Sequence, residues 1–283
     1  FSMKLCVDIG ATNIKSGIIE DGRLLRTAVT PTDTSHGLEG IVESLARAIK
    51  KFDLSCVSTL CISSAGRIDT HSGIVVYATD NLPEYTGFNL YTWVKQHYGL
   101  PCVAINDGHA ALLGELLLTE EYRTKKVVML TLGSGIGGAY AVNGRLKADE
   151  KNNYALFGHI VIEENGLPCN CGKRGCAEQY LSGRAINRQA GELGISKDGL
   201  FLTAEKGNTR ALALCGELTE RLKILLEKIQ KISPFDICIL GGGVTDGMGN
   251  FFEKFCACGF DVRRAKAGNA AGMLGAYYLG ANL

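Results

Sequence analysis

The chain has 283 residues, of which 46% are hydrophobic and 21% charged, a composition that indicates one large or two medium folded domains and excludes intrinsic disorder. Thirty lysine and arginine residues stand against 29 aspartate and glutamate residues, so the net charge of +1 leaves no broad cationic field for nucleic acid. No apolar run approaches the ~18 residues of a membrane span, and no signal-peptide pattern is visible. We therefore expect a cytoplasmic protein that binds neither nucleic acid nor membrane.

Strands and helices alternate along the chain, which favours an α/β fold. In the first half, apolar runs predict strands, with an Asp21-Gly22 turn between the second and the third, at residues 4–7, 16–19, 24–29, 57–62 and 103–105. Apolar residues at helical spacing predict helices over residues 38–52 and 110–118.

Residues 126–144 repeat the pattern of the chain's beginning. A strand over residues 126–132 runs into a glycine-rich turn, a second strand reaches residue 142, and an Asn143-Gly144 turn follows. We interpret this as a degenerate internal repeat of two similar halves, with the boundary near residues 107 to 125. Beyond it, the sequence predicts a long amphipathic helix over residues 204–229, a buried strand over residues 237–240 and a packed terminal helix from residue 270.

The first strand ends in a turn with the sequence Asp8-Ile9-Gly10-Ala11-Thr12-Asn13-Ile14-Lys15. Gly10 allows the backbone to turn tightly so that N–H groups can face an anion, and Thr12, Asn13 and Lys15 can add donors to phosphate oxygens. Asp8 at the strand end suits a hydrated Mg²⁺ ion. An ordinary hairpin is the alternative interpretation of the same residues.

Two further glycine-rich turns follow strands later in the chain. Gly133, Ser134 and Gly135 offer backbone N–H groups and a hydroxyl to phosphate, at the point of the repeat that corresponds to the first turn. This is not a Walker A loop, because no Lys-Ser/Thr pair follows, and a strand rather than a helix comes next. The run Gly241, Gly242 and Gly243 lacks Cβ atoms and can lie flat against a ring such as adenine, or form a simple strand-to-helix turn.

Asn106 and Asp107 follow a predicted buried strand, at the kind of strand end where α/β proteins bind ligands. Asp107 can take the proton from an attacking hydroxyl group, and Asn106 can orient a substrate. The same pair is also a common start of a helix, with the asparagine as its N-cap. Both interpretations stay open on the sequence, and His109 is predicted to lie on a helix face.

The most specific pattern combines His159 with Cys169, Cys171 and Cys176. One imidazole and three thiols supply the four ligands of a closed tetrahedral Zn²⁺ site, and the glycines among them allow the loop to fold around the ion. Thiols at this density in a reducing compartment favour metal over disulfides. We therefore predict structural zinc; a catalytic zinc is not expected because protein fills all four positions, and a reduced cysteine-rich loop is the alternative.

In this order, the motifs resemble those of the ROK family, which contains repressors, uncharacterised proteins and sugar kinases. The similarity runs from Met3 to the terminal helix, and the Cys-x-Cys-Gly-x-x-Gly-Cys-x-Glu stretch is highly specific to the family. The resemblance implies an α/β protein with the actin-like ATPase (ribonuclease H-like) fold, two domains with a cleft between them, and ATP-dependent phosphorylation of a hexose hydroxyl. DNA-binding members carry an N-terminal helix-turn-helix domain; this chain begins directly at the first predicted strand, so we expect no repressor role.

The same resemblance implies roles for single residues. Asp107 matches the family's catalytic base, and His159 matches a residue that is both a zinc ligand and a sugar contact. The other predicted sugar contacts are Gly66, Arg67, Asn81, Asn106 and Glu178. The predicted binding residues for ATP and Mg²⁺ are Asp8, Gly10, Thr12, Asn13, Lys15, Gly133, Ser134, Gly135, Gly241, Gly242 and Gly243.

The expected organisation follows from these assignments. Residues 1–107, completed by residues 270–283, are predicted to form an N-terminal α/β domain. Residues 108–269, with a zinc loop over residues 159–178, are predicted to form a C-terminal α/β domain. We expect a small-molecule sugar as substrate, with ATP, Mg²⁺ and structural Zn²⁺ as cofactors, and a homodimer.

One position departs from the family pattern. Kinases of the family usually have a glutamate three residues before the histidine, as a sugar ligand, and here that residue is Leu156. The first turn also has Ala11 where a second glycine is commoner. Two alternatives to a sugar kinase are a non-catalytic sugar-binding or regulatory protein that has kept the fold, and an actin-like ATPase without a sugar substrate. Asp107 and both phosphate turns favour the kinase, whereas Leu156 favours the non-catalytic protein.

Overall fold

The computed structural model describes residues 3–147, 156–195 and 199–281, and this part of the chain forms two compact units. Unit 1 contains residues 3–121 and 269–281, and unit 2 contains residues 122–147, 156–195 and 199–268. Within these ranges, no helix combines the length and the apolar character that crossing a bilayer requires.

The described residues form strands and helices in alternation. The strands are β1 (Met3–Ile9), β2 (Asn13–Glu20), β3 (Arg23–Pro31), β4 (Val57–Ser64), β5 (Arg67–Asp69), β6 (Ile74–Tyr77), β7 (Cys102–Asn106), β8 (Lys126–Leu132), β9 (Ile136–Val142), β10 (Arg145–Leu146), β11 (Ile237–Gly241) and β12 (Val262–Arg264). The α-helices are α1 (Gly37–Ile49), α2 (Leu90–Tyr98), α3 (Asp107–Leu118), α4 (Glu178–Leu181), α5 (Gly183–Glu192), α6 (Leu200–Glu205), α7 (Thr209–Ile232), α8 (Gly243–Asp246), α9 (Phe252–Phe255) and α10 (Ala271–Ala281).

Each unit contains a five-stranded sheet, and the two sheets have the same topology. The strand order is β3-β2-β1-β4-β7 in unit 1 and β10-β9-β8-β11-β12 in unit 2. In both sheets the first three strands form an antiparallel meander, and the other two strands add in parallel. The turns Asp21-Gly22 and Asn143-Gly144 have positive φ at both residues, which is the geometry of a tight hairpin turn. The predicted internal repeat is therefore confirmed.

Each sheet is covered by helices with an apolar face. In α1 the residues Ile41, Leu45 and Ile49 recur at helical spacing and are buried in the core of unit 1. In unit 2 the long helix α7 buries a row of leucines that includes Leu218 and Leu222. Each unit thus has its own apolar core, which fixes the strand ends that carry the predicted site residues.

Helix α10 lies against α3, β1 and β4 at very short range. A Cβ atom on Gly275 would overlap the backbone of Ala110 in α3, and a Cβ atom on Gly272 would overlap the carboxyl group of Asp8 in β1. At Gly280, a Cβ atom would lie 2.7 Å from the Sγ atom of Cys61. The glycines of α10 therefore allow an approach that side chains would prevent.

The structure corrects one prediction from the sequence. The single helix predicted over residues 204–229 is two helices, because Gly207 has φ of +85° and the Asn208 side chain caps the new helix by accepting a hydrogen bond from Ala211 N–H at 3.0 Å. The two observed units divide between Glu121 and Tyr122, within the range of residues 107 to 125 given for the boundary, and α3 packs against α10 in unit 1.

The close approach of α10 generates a stability prediction. Gly275→Ala should destabilise the protein by about 1–3 kcal/mol, because the added methyl group forces α10 away from Ala110. Gly216→Ala in α7 is the matched control, since a Cβ atom there has open space, and it should be stabilising by up to ~1 kcal/mol through helix propensity. Chemical denaturation of both variants measures the effect; equal stabilities would show that α10 does not need the glycine.

Candidate active site and metal centre

The parallel strands of unit 1 end side by side. Ile9 in β1 is opposite Ser64 in β4, and Ser64 is opposite Asn106 in β7. Because these strands point in the same direction, residues at their carboxyl ends collect at one edge of the sheet. Asp8 and Asp107, which are distant in sequence, are consequently close enough for their charges to interact.

Asp8 is held in place by the two strands beside it. Ser63 donates a hydrogen bond from Oγ to Oδ1 of Asp8 at 2.7 Å, and Lys15 is the cross-strand partner on β2. Burial raises the pKa of Asp8, while the Ser63 hydrogen bond and the Lys15 charge act in the opposite direction. Within the described residues Oδ2 accepts no hydrogen bond, so this carboxylate can hold the water shell of Mg²⁺.

The turn after β1 has a fixed backbone and exposed side chains. Gly10 N–H donates to the carbonyl oxygen of Asn13 at 3.1 Å, and Thr32 Oγ1 donates to the carbonyl oxygen of Gly10 at 2.7 Å. Thr12 and Asn13 are exposed, and Lys15 is half-buried. Hydroxyl, amide and ammonium donors therefore lie on or beside a turn whose Gly10 N–H is already used within the protein, a geometry that fits both a phosphate-binding turn and an ordinary hairpin.

Asn106 and Asp107 begin helix α3, so the N-cap interpretation is confirmed. Asn106 Oδ1 accepts hydrogen bonds from the N–H groups of Gly108 at 2.9 Å and His109 at 3.3 Å, while Nδ2 donates to the carbonyl oxygen of Gly66 at 2.7 Å and to Asp107 Oδ1 at 2.8 Å. The amide thus uses its full hydrogen-bonding capacity within the protein. The predicted sugar contact by Asn106 would have to replace one of these bonds.

Asp107 keeps one carboxylate oxygen available. Oδ1 accepts hydrogen bonds from Gly108 N–H at 2.8 Å and from Asn106, whereas Oδ2 accepts none within the described residues. Part of the residue is exposed to solvent, but its carboxyl group is surrounded by protein atoms. Desolvation of the carboxyl group and the nearby charge of Asp8 raise the pKa of Asp107 to about 6. A carboxylate with a pKa close to neutrality is well suited to accept and release a proton.

Of the other predicted sugar contacts of unit 1, Gly66 and Asn81 lie on loops, and Arg67 is the first residue of β5. Gly66 is joined to Asn106 by the hydrogen bond described above, and the Arg67 guanidinium lies 5.2 Å from the centre of the Tyr77 ring. Asn81 is exposed, in a segment that Tyr85 ties to the end of β4 through a 3.1 Å hydrogen bond between its hydroxyl group and Ser64 Oγ.

In unit 2, the turn between β8 and β9 is closed by a hydrogen bond from Gly133 N–H to the carbonyl oxygen of Gly135 at 3.0 Å. Its exposed residue Ser134 lines a cavity of about 440 Å³. The lining residues include Gly133, Ser134, Ile186, Phe201, Gly243 and Val244. Two of the three predicted glycine turns therefore meet at one cavity with apolar walls.

The third glycine turn joins β11 to the short helix α8, so the strand-to-helix interpretation is confirmed for residues 241–243. Gly242 packs against the end of β8, where a Cβ atom would lie 2.6 Å from the carbonyl oxygen of Leu132. Gly243 is exposed and lines the cavity. A structural turn can thus also be a flat wall for a ring.

His159, Cys169, Cys171 and Cys176 lie together, with ligand atoms all within 4.8 Å of one another. The Sγ atoms of Cys171 and Cys176 are 3.5 Å apart, and His159 Nδ1 is 3.5 Å from Cys169 Sγ. Tetrahedral zinc with bonds of ~2.3 Å to sulfur separates its ligand atoms by roughly 3.8 Å, so these residues fit a closed zinc site. With Nδ1 facing the thiols, His159 Nε2 points away from the cluster.

The loop around the cluster is shaped by two glycines with positive φ. Gly172 has φ of +86° and Gly175 has φ of +76°, and a Cβ atom on Gly175 would overlap the backbone of Glu163. Leu156 precedes the 3₁₀ turn Phe157–His159, and its carbonyl oxygen accepts a hydrogen bond from His159 N–H at 2.9 Å. The Leu156 side chain is 51% exposed, so an apolar group faces solvent beside the histidine.

Sequence reasoning missed several residues that hold the site in place. Ser63 bonds Asp8, Thr32 bonds the first turn, and Gly183 N–H donates to the carbonyl oxygen of Gly133 at 2.7 Å. All three contacts join segments that are distant in sequence. Ser63 directly follows a predicted strand, so a polar residue at that position was an available signal.

The comparisons with known proteins agree with this arrangement. A family model described as the ROK family matches residues 4–282. A glucokinase from Streptomyces coelicolor is 29% identical over 304 residues, with 95% of each chain covered, and an N-acetylmannosamine kinase from Vibrio vulnificus is 30% identical over 244 residues, covering 85% of this chain and 82% of its own. A solved ROK family glucokinase from Streptomyces griseus, in complex with glucose and AMPPNP, is 29% identical, covers 98% of this chain and 99% of that chain, and has a TM-score of 0.77.

The cluster generates a prediction about metal content. Purified protein should contain one zinc ion per chain, and Cys171→Ser should lower both the zinc content and the melting temperature, because metal binding at such sites is coupled to folding. Cys56→Ser is the matched control, since Cys56 is also an exposed cysteine but lies outside the cluster. Elemental analysis that finds no zinc in freshly purified wild-type protein would contradict the assignment.

Proposed function

The chain belongs to the ROK family and is a sugar kinase, and we propose that it transfers the γ-phosphoryl group of ATP to a hydroxyl group of a hexose or hexose derivative, with Asp107 as general base. The single observation that carries this assignment is the state of the Asp107 carboxylate. Its Oδ1 atom is fixed by two donors, its Oδ2 atom accepts no hydrogen bond within the described residues, and its pKa is raised to about 6.

Proton transfer and orientation are the tasks of the residues at the sheet edge of unit 1. Asp107 Oδ2 accepts the proton of the sugar hydroxyl as its oxygen attacks the γ-phosphorus, and Asn106 holds the carboxylate through its Nδ2 bond to Oδ1. Phosphoryl transfer needs little covalent assistance, so most of the acceleration comes from positioning and charge stabilisation.

Nucleotide binding is assigned to the glycine turns. The cavity of unit 2 accepts the nucleoside, with Phe201 and Ile186 as apolar contacts and Gly243 as a flat wall. Gly133 N–H donates within the turn, which leaves the N–H groups of Ser134 and Gly135 as the backbone donors to phosphate. The turn at residues 10–13 in unit 1 offers further phosphate donors. Asp8 would hold hydrated Mg²⁺, which neutralises phosphate charge when bound.

Each unit carries residues to which we assign sugar recognition. In unit 1, Arg67 and Asn81 present exposed or half-buried polar side chains, and Gly66 is held beside Asn106. In unit 2, His159 Nε2 points away from the metal cluster, and the zinc loop is expected to hold it in position for a sugar hydroxyl. Stripping the zinc should therefore also weaken sugar binding.

A non-catalytic sugar-binding or regulatory protein is the alternative, and the exposed Leu156 is the observation that favours it. A coupled ADP-release assay over a panel of hexoses, N-acetylhexosamines and glycosides separates the candidates. ADP release that depends on a sugar supports the kinase, ADP release without any sugar indicates a simple ATPase, and no release with any sugar indicates the non-catalytic protein.

Asp107→Asn should lower kcat by ~10²–10⁴, because an amide cannot accept the proton. The substituted side chain keeps an oxygen for Gly108 N–H and is nearly isosteric, so folding and nucleotide binding should persist. Steady-state kinetics, with circular dichroism as the control for folding, measure the effect. An undiminished rate would show that Asp107 only caps the helix.

The pH dependence of the wild-type enzyme provides a second test of Asp107 as the general base. Because the pKa of Asp107 is raised to about 6, the base is protonated below that pH, and kcat/KM should fall about tenfold per pH unit there. Ionising a carboxylate whose pKa is raised by folding costs stability as pH increases from the unfolded value towards 6. Asp107→Asn should therefore gain stability over wild type above pH 6 and lose this advantage near pH 4.

Leu156 determines which sugar the enzyme prefers. A glutamate at this position would accept hydrogen bonds from sugar hydroxyls, which in the family lie toward the reducing end, and leucine cannot. A hydroxyl buried without a partner costs ~1–3 kcal/mol, or roughly 5- to 150-fold in affinity. The exposed apolar side chain instead suits a substituent that masks the hydroxyl group.

Free glucose and N-acetylmannosamine should therefore be poor substrates, and a methyl β-glucoside or a sugar that lacks this hydroxyl should be better. Leu156→Glu should raise kcat/KM for the free hexoses by restoring the acceptor. Leu212→Glu is the matched control, because Leu212 is also an exposed leucine but lies on helix α7; this substitution should leave kcat/KM for the free hexoses unchanged. If the wild type favours free glucose and Leu156→Glu brings no gain, this residue does not select the sugar.

A further inference from the structure

Glu178 makes a contact that its expected role as a sugar ligand does not explain. Its Oε2 atom accepts a hydrogen bond from Ile136 N–H at 2.9 Å, at the end of the glycine turn between β8 and β9. The same oxygen lies against Gly135, where a Cβ atom would be only 2.5 Å away. Glu178 therefore supports the turn directly, and Gly135 leaves the space for its carboxylate.

Two more hydrogen bonds reach the same turn from the residues that follow Glu178. Gly183 N–H donates to the carbonyl oxygen of Gly133 at 2.7 Å, and Arg184 Nε donates to the carbonyl oxygen of Ser134 at 3.1 Å. Residues 178–184 thus form hydrogen bonds with residues 133, 134 and 136, and the Glu178 side chain also lies against Gly135. We call this segment the turn support.

The turn support begins directly after the last zinc ligand. Cys176 is two residues before Glu178, and its carbonyl oxygen accepts a hydrogen bond from Gln179 N–H at 3.0 Å. Ala177 N–H donates to the carbonyl oxygen of Ile160 at 2.9 Å, which joins the start of α4 to the residue after His159. These two hydrogen bonds join the start of α4 to residues at or directly beside two of the four metal ligands, Cys176 and His159.

We propose that the zinc centre positions the phosphate-binding turn of unit 2 through Glu178, so that loss of the metal or of this carboxylate weakens nucleotide binding even when no sugar is present. This inference rests on the proposed function, because it takes the turn at residues 133–135 to bind ATP phosphates. Glu178 is a positioning residue in this role, since its Oε2 atom acts on the nucleotide through the backbone of Ile136.

The second carboxylate oxygen connects the two substrates. Glu178 Oε1 accepts no hydrogen bond within the described residues, so it stays available for a sugar hydroxyl while Oε2 supports the turn. A sugar hydroxyl bound to Oε1, together with the bond from Ile136 N–H to Oε2, would hold the Glu178 side chain at both oxygens. Sugar binding should therefore stabilise the phosphate-binding turn in addition to filling its own site.

The carboxylate charge and the hydrogen bond have opposite effects on a bound phosphate. A negative charge near the turn repels phosphate, whereas a well-placed turn attracts it through its N–H groups. Glu178→Ala removes both the charge and the acceptor, while Glu178→Gln removes the charge and keeps an acceptor oxygen for Ile136 N–H. The two variants together separate positioning from repulsion.

Affinity for Mg²⁺-AMPPNP in the absence of sugar, measured by calorimetry, is the test. We expect Glu178→Ala to bind about 10-fold more weakly, as for loss of a charge-assisted hydrogen bond, and Glu178→Gln to stay within about threefold of wild type. Glu192→Ala, which removes an exposed glutamate from the neighbouring helix α5, is the matched control and should bind as wild type does. Melting temperatures confirm that each variant is folded.

A parallel measurement uses the metal instead of a mutation. Protein freed of zinc by a chelator, which is then removed before Mg²⁺ is added, should bind AMPPNP about 10-fold more weakly, and added Zn²⁺ should restore the affinity. Zinc content is determined on the same samples.

Each outcome is decisive. Wild-type affinity in Glu178→Ala, tighter binding in Glu178→Ala, or wild-type affinity in folded zinc-free protein would overturn the inference. If zinc-free protein unfolds, the Glu178 variants alone decide it. Absence of AMPPNP binding by the zinc-loaded wild type would instead contradict the proposed function, so the two failures are distinguishable.

Discussion

The close approach of α10 to the sheet of unit 1 is the constraint on which the arrangement of its acidic residues depends. Gly275 lets α10 touch the backbone of α3, the helix that starts with Asp107, and Gly272 lets it lie against the carboxyl group of Asp8. A helix from the end of the chain thereby fixes a strand from its beginning and a helix from its middle. Packing at this density transmits small displacements, so the two carboxylates share one rigid support.

The first hairpin turn of each sheet is supported by different residues in the two units. Each sheet begins with a meander whose first hairpin is a glycine turn, and in both turns the first glycine donates its N–H to a carbonyl oxygen within the turn. In unit 1, Thr32 holds the turn from the neighbouring strand. In unit 2, residues 178–184 hold the corresponding turn, and they follow directly on the cysteine-rich loop. The repeat therefore preserved the turn and the topology but not the means of support.

The sequence predicted the local features of this fold well because they depend on local patterns. The meanders, the strands at residues 57–62 and 237–240 and the cysteine cluster were all visible, since period-two apolar runs, turn dipeptides and ligand spacing are properties of short segments. The split between α6 and α7 was missed because apolar periodicity continues on both sides of Gly207. Helix α2 and the small β5–β6 sheet were missed because they are short and only weakly patterned.

Roles that depend on long-range contacts could not be predicted from the sequence. Asn106 was identified as a substrate contact or a helix cap, but the bond that commits its Nδ2 to Gly66 joins residues 40 positions apart. Glu178 was identified by its place after the last cysteine, but its bond to Ile136 N–H spans 42 positions. In both cases the sequence proposed a site residue, and only the fold shows which partner each atom of its side chain has.

The acidic pair Asp8 and Asp107 in unit 1 has an electrostatic cost for folding. Burial and the charge of Asp8 both oppose ionisation of Asp107, so at neutral pH the pair costs stability, and Lys15 and Ser63 offset only the part that falls on Asp8. Replacement by neutral residues would favour folding but would remove the proposed base. A divalent cation and a substrate hydroxyl would offset this cost on binding, because the first would attract both charges and the second would donate to an unbonded carboxylate oxygen. The destabilised pair at the strand ends is thus the physical reason to locate the chemistry there rather than elsewhere in unit 1.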